Sequence, residues 1–176
     1  MAKIRGSALT AHCISAGIGA MIKTRIAVTA LAVSFVSASV SFAASPHMGT
    51  WKLNESKSKL LEGMGKNETV TYTEEKGGKI KVTVDGVDKD GKPTHSTWVG
   101  KFDGKSYPTK GNAMWNAAAY KVVNDHTNEI TTMKDGKVAW TGKITVAADG
   151  KSRTVTINMT DKNGKKAKAK AVYDKA

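Results

Sequence analysis

Cysteine is almost missing from this sequence of 176 residues: Cys13 is the only one, and it stands near the amino terminus. One thiol builds no disulfide framework, and no four-ligand Cys/His zinc pattern can be assembled around it. Arginine is nearly as scarce, because after Arg25 only Arg153 remains. Arginine is the preferred residue for bidentate contacts to phosphate and guanine, so its scarcity argues against specific nucleic-acid readout. Residues 1–43 contain no Asp or Glu at all. No Gly-x-Ser-x-Gly elbow, Gly-x-Gly-x-x-Gly turn or P-loop occurs anywhere, which leaves catalysis and nucleotide chemistry without a frame. No segment after residue 44 carries a convincing helical period.

The acid-free start is itself a pattern. Met21-Ile22-Lys23-Thr24-Arg25 is basic, Ile26 to Val40 is apolar, and Ser41-Phe42-Ala43-Ala44 ends in small residues. That is the grammar of a secretory signal peptide over 21–43, with cleavage after Ala43 or Ala44. Serines and a threonine dilute the apolar run and no basic stop-transfer cluster follows it, so an uncleaved anchor fits less well. The chain that follows then has no transmembrane segment. Met21 opens a complete signal by itself, so residues 1–20 read as an upstream extension that translation need not use. The expected address is periplasmic or extracellular.

Removing Lys3, Arg5, Lys23 and Arg25 leaves 24 basic residues against the same 15 acids, a charge of +9 carried almost wholly by lysine. Residues 44–176 suit one domain. Turn pairs recur along them, among them Gly77-Gly78, Asp90-Gly91, Asp103-Gly104, Asp135-Gly136, Asp149-Gly150 and Asn163-Gly164. Such pairs supply the positive φ angles of tight hairpins. Between them the sequence alternates. Ile80, Val82 and Val84 share one face. Val138, Trp140, Gly142, Ile144 and Val146 share another, and Val155, Ile157 and Met159 repeat the pattern. Nine or ten strands are predicted, at about 48–53, 67–76, 79–86, 93–102, 105–108, 114–123, 127–134, 137–147, 152–160 and 166–173. The best short helix is Glu55–Glu62, behind Asn54 as a cap. Short hairpins in series make an all-β, antiparallel up-and-down meander. Closing it into a barrel removes sticky edges most completely, and a two-sheet β-sandwich is the alternative.

The opening Gly49-Thr50-Trp51-Lys52-Leu53-Asn54 resembles the Gly-x-Trp start of the lipocalin and calycin barrels. Together with the signal peptide, Asp103-Gly104-Lys105-Ser106-Tyr107-Pro108 and the closing Ala171-Val172-Tyr173-Asp174-Lys175, it is similar to small exported bacterial lipocalin-like proteins. The resemblance implies that Trp51 plugs one end of a barrel and that Gly49 lets the chain bend beside it. The cysteines, the Thr-Asp-Tyr motif and the strand-end arginine motif of many lipocalins are not found, so no ligand comes with the resemblance.

Candidate sites are few. Trp98, Phe102, Trp115, Tyr120 and Trp140 lie on consecutive strands and line a cavity if the barrel encloses one. The plainer account is that they fill the core, as side chains do in small barrels. Trp115, Ala117 and Ala119 are expected on one face, and Ala167, Ala169, Ala171 and Tyr173 on another; small side chains facing inward leave volume to be filled. His47, His95 and His126 are isolated and read as surface histidines, with no metal or cofactor expected. Glu74, Glu75, Asp85, Asp88 and Asp90 lie near turns, where solvated charge is their expected role. Lys162, Lys165, Lys166, Lys168 and Lys170 form the densest basic run, and the last three alternate with alanine as the outer face of a strand does. Two functions follow. The first is an exported soluble barrel that binds a small apolar or amphipathic ligand. The second is a non-catalytic structural or interaction protein, its barrel filled and its lysines in weak contact with anionic envelope polymers.

Overall fold

The computed structural model describes residues 45–160 and 164–176, so the signal-like segment, the upstream extension, Cys13 and Lys162 lie outside the described residues. Ten strands follow one another: β1 (Gly49–Leu53), β2 (Lys66–Glu75), β3 (Lys79–Val87), β4 (Pro93–Gly100), β5 (Asp103–Lys110), β6 (Ala117–Asn124), β7 (Thr127–Lys134), β8 (Lys137–Val146), β9 (Ser152–Thr160) and β10 (Lys166–Lys175). Each pairs antiparallel with its chain neighbours, and β1 pairs with both β2 and β10. The meander therefore closes into a barrel. A sandwich is overturned by the pairs Trp51 with Lys175 and Leu53 with Tyr173, which join the first strand to the last.

Turn chemistry sets the hairpins. Between β7 and β8, Asp135 and Gly136 both take positive φ, 51° and 78°, the pair of angles that a two-residue hairpin of the right twist requires. The expected helix Glu55–Glu62 shrinks to a single 3-10 turn, Glu55–Lys57, capped by the Asn54 side chain accepting from the Lys57 amide at 3.1 Å. The reason is the shortness of β1. It leaves the outer half of β10 without a partner on that side. Lys59 takes that place instead, exchanging backbone hydrogen bonds with Lys170 at 2.7 and 2.8 Å. An extended wall segment outcompetes a helix of marginal length.

Two expected faces are corrected. A register shift falls between Thr132 and Met133, where Thr132 faces Trp140 but Met133 faces Val138. The extra residue, Ala139, turns Val138 out to 61% exposure while Trp140 stays buried. On β6 the inward residues are Ala118 and Tyr120, so Ala117 and Ala119 point away from the core and do not share the inward face of Trp115. Lys166, Lys168 and Lys170 are exposed on the outside of β10, and Ala169 and Ala171 are buried on its inside, as the alternation requires.

Close backbone approach explains one glycine. A Cβ on Gly86 would stand 1.9 Å from the Lys66 carbonyl oxygen, at the bulge where β2 meets β3. Gly86→Ala is expected to lower stability by about 1–3 kcal/mol, as overpacking does, read as a lower urea midpoint at an unchanged slope. All ten strands and the core cluster lie within residues 45–176, so that stretch holds what a domain needs to fold by itself.

Candidate functional site: a buried arginine at the end of an alanine lane

β9 and β10 run side by side with their inward residues in register. Met159 faces Ala167, Ile157 faces Ala169, Val155 faces Ala171, and Arg153 faces Tyr173. Three alanines thus make a lane of small side chains on the inner wall, about 20 Å long to Tyr173 at some 3.3 Å of rise per residue, that ends at a buried arginine. Arg153 is 2% exposed. Its guanidinium carbon lies 4.9 Å from the Trp51 ring, 4.9 Å from Tyr72 and 4.8 Å from Tyr173. Its Nε and Nη1 have no hydrogen-bond partner among the described residues. The buried polar residues of the described chain are His47, Ser96, Asn128, Thr132 and Arg153, with no carboxylate among them. A second cation, the Lys175 ammonium, sits 5.1 Å from the Trp51 ring. Each ring contact is worth about 0.5–2 kcal/mol, against several kcal/mol to remove an ion from water. The stacking offsets part of that cost, and the interior stays electropositive.

One neighbour of Arg153, His47, is polar and short of partners. His47 is 2% exposed, with both ring nitrogens unbonded; the Trp51 indole N–H donates to its carbonyl at 3.0 Å. This corrects the expectation of a surface histidine, whereas His95 and His126 are exposed as expected. Burial first, then the charge of Arg153, lowers the His47 pKa from its ordinary 6.5 to about 4. The unfolded chain therefore binds a proton that the folded chain refuses between these values. Stability is full above about pH 6.5 and falls as the pH drops toward 4. His47→Phe is expected to flatten that slope, measured as melting temperature against pH. Asn128 is buried on the inward row of β7 with Ile130 and Thr132, and its amide oxygen and nitrogen are both unbonded. Burial pushes the Tyr173 hydroxyl up to about 12 and raises Tyr120 well above its ordinary value, with Tyr72 beside it adding to the shift. Both hydroxyls stay protonated and able to donate.

The five aromatic candidates fall into two groups. Trp98, Phe102 and Tyr120 come together with Tyr72 and Tyr107. Trp98 and Tyr120 ring centres lie 4.6 Å apart, Phe102 stacks on Tyr120 at 5.2 Å, and Tyr107 meets Trp98 edge-on at 5.8 Å. The Trp98 indole N–H donates to the Ala118 carbonyl at 2.9 Å. This cluster fills the β2–β6 side of the barrel. Trp115 and Trp140 form a separate edge-on pair at 5.7 Å, nearer the opposite end. Sequence reasoning set Arg153 aside as a lone arginine, yet its parity with Val155, Ile157 and Met159 already marks it as inward. For His47 no such signal exists, since it precedes β1 in a turn.

No protein-family model matches the chain, and a search of curated proteins finds no match. Among solved structures, the crystal structure of a mutant of the fluorescent protein UnaG is 17% identical. It superposes with a TM-score of 0.51 over 76% of this chain and 99% of that one. Wild-type UnaG, also 17% identical, superposes with a TM-score of 0.50 over 74% and 97%. At that identity the likeness speaks for the fold. What UnaG shares with this chain is a closed up-and-down barrel of antiparallel strands, ten of them here, with the first strand paired to the last.

Proposed function

We propose that this chain is an exported carrier whose barrel binds a small amphipathic molecule with an anionic head. The head pairs with Arg153 and the apolar body lies along Ala167, Ala169 and Ala171. The observation that carries this reading is the guanidinium itself: buried at the end of the alanine lane, and among the described residues without a carboxylate partner and with Nε and Nη1 unbonded. A carboxylate answers an unbonded guanidinium N–H with a charge-assisted hydrogen bond, and Tyr173 stands ready as a further donor. The way in runs through the irregular wall segment 54–65. Leu60, Leu61 and Met64 of that segment pack on the core only in part, and it is tied to β10 through Lys59, Ser58 and Asn54. The signal-like residues 21–43 supply the export.

The second reading, a filled barrel that works through its lysine surface, draws on the mutual packing of Tyr72, Trp98, Phe102 and Tyr120 and on the outward row Lys166, Lys168 and Lys170. Native mass spectrometry of protein taken from its own extracytoplasmic fraction separates the two. The carrier reading expects added mass that vanishes on unfolding, and a denatured mass that begins at Ala44 or Ser45. A bare native mass favours the filled barrel, and a chain starting at Met1 or Met21 overturns the cleavage.

A further inference from the structure

We propose that one lip of the barrel, built by the β5–β6 connection and the β7–β8 hairpin, docks on the face of an anionic phospholipid bilayer. The two connections are joined firmly. The Asn116 amide donates to the Met133 carbonyl at 2.9 Å, the Asn116 side chain donates to Asp135 at 2.8 Å, and the Lys134 ammonium donates to the Ala113 carbonyl at 3.2 Å. This leaves two large apolar side chains in water, Met114 at 63% and Val138 at 61% exposure. Lysines frame them. Lys110 ends β5, and Lys134 and Lys137 flank the hairpin. Asp135, the carboxylate of the two connections, is engaged by Asn116. Beside Val138 an open groove of about 570 Å³ continues the surface, floored by Val138, Trp140 and Met159 and edged by Lys166 and Lys168. Lys110, Lys137, Lys166 and Lys168 have no ion-pair partner among the described residues.

Apolar side chains set in a cationic frame match a bilayer interface, where lysines meet the headgroups and the apolar tips reach the acyl boundary. A soluble polyanion has no use for Met114 and Val138. At the opposite end the exposed Val122 and Val123 stand between Lys121 and Asp125, so an exposed carboxylate adjoins that apolar pair. The docking does not depend on a molecule inside the barrel.

The test is co-sedimentation of residues 45–176 with vesicles of phosphatidylcholine alone, or of phosphatidylcholine with about one third phosphatidylglycerol, at low salt. Binding is expected only to the second kind. The double variant Lys137→Gln/Lys166→Gln weakens it by about tenfold or more, as each lysine near such a surface contributes. Met114→Ser/Val138→Ser, which keeps the charge, weakens it several-fold and leaves retention on soluble dextran sulfate unchanged. Val123→Ser changes neither. Thermal unfolding confirms that these surface variants fold. Equal binding to both vesicles, or equal loss from Val123→Ser, overturns the proposal. Binding indifferent to Met114→Ser/Val138→Ser also overturns it and leaves a soluble polyanion as the partner.

Discussion

Replacing Arg153 with methionine is expected to abolish carboxylate binding while leaving the stability of the barrel within about 1–2 kcal/mol of its starting value. The guanidinium is buried without a counter-charge, and an apolar side chain of similar length removes its desolvation cost, a change that is often neutral or stabilising. Against that stands the loss of the contacts with Trp51, Tyr72 and Tyr173, worth about 0.5–2 kcal/mol each. The two terms are of similar size and opposite sign. Urea unfolding gives the stability and titration with dodecanoate gives the binding. A variant that loses several kcal/mol and still binds dodecanoate would make Arg153 a structural plug and nothing more.

Trp51→Ala is the largest expected loss of stability, about 3–5 kcal/mol for a fully buried large aromatic. Trp51 has no exposed surface, lies between Arg153 and Lys175, and donates its indole N–H to the His47 carbonyl. Its removal opens a cavity at the end of the barrel where β1 closes against both β2 and β10. A domain of this size has about 5–15 kcal/mol in all, so roughly a fifth or more would go. Trp51→Phe keeps most of the packing and loses only the hydrogen bond and part of the area. A shift below about 1 kcal/mol for Trp51→Ala, read from the urea midpoint at constant slope, would contradict its role as the seal.

Strand count, order and most limits were legible because period two and turn pairs act locally. The alternation of Ile80, Val82 and Val84, or of Ala169 and Ala171 with their lysines, survives in the fold because one side of each strand is wet. Closure was not legible, since the pairing of Leu53 with Tyr173 spans the whole domain. The misread face of β8 has a local cause. The added residue at Ala139 reverses parity, and no composition announces a bulge. The helix expected at Glu55–Glu62 lost to an open stretch of β10 that only the assembled barrel reveals. The site was half legible: the alanine row is plain in the sequence, and Arg153 lies on the same parity as Val155. What joins them is the β9–β10 register, which places Arg153 against Tyr173 at the head of that row.

The central claim is that this lane ends in an anion-binding arginine. Its most direct test is a tryptophan-fluorescence titration of residues 45–176 with dodecanoate and, separately, with dodecanol, repeated on Arg153→Met. Trp51 lies against the guanidinium and reports on its occupant. The account predicts a saturable change with dodecanoate, at least about tenfold weaker binding of the alcohol as expected when a charge-assisted hydrogen bond is lost, and no preference for the acid in the variant. Equal binding of acid and alcohol by the unaltered protein, or no binding of either, would contradict it.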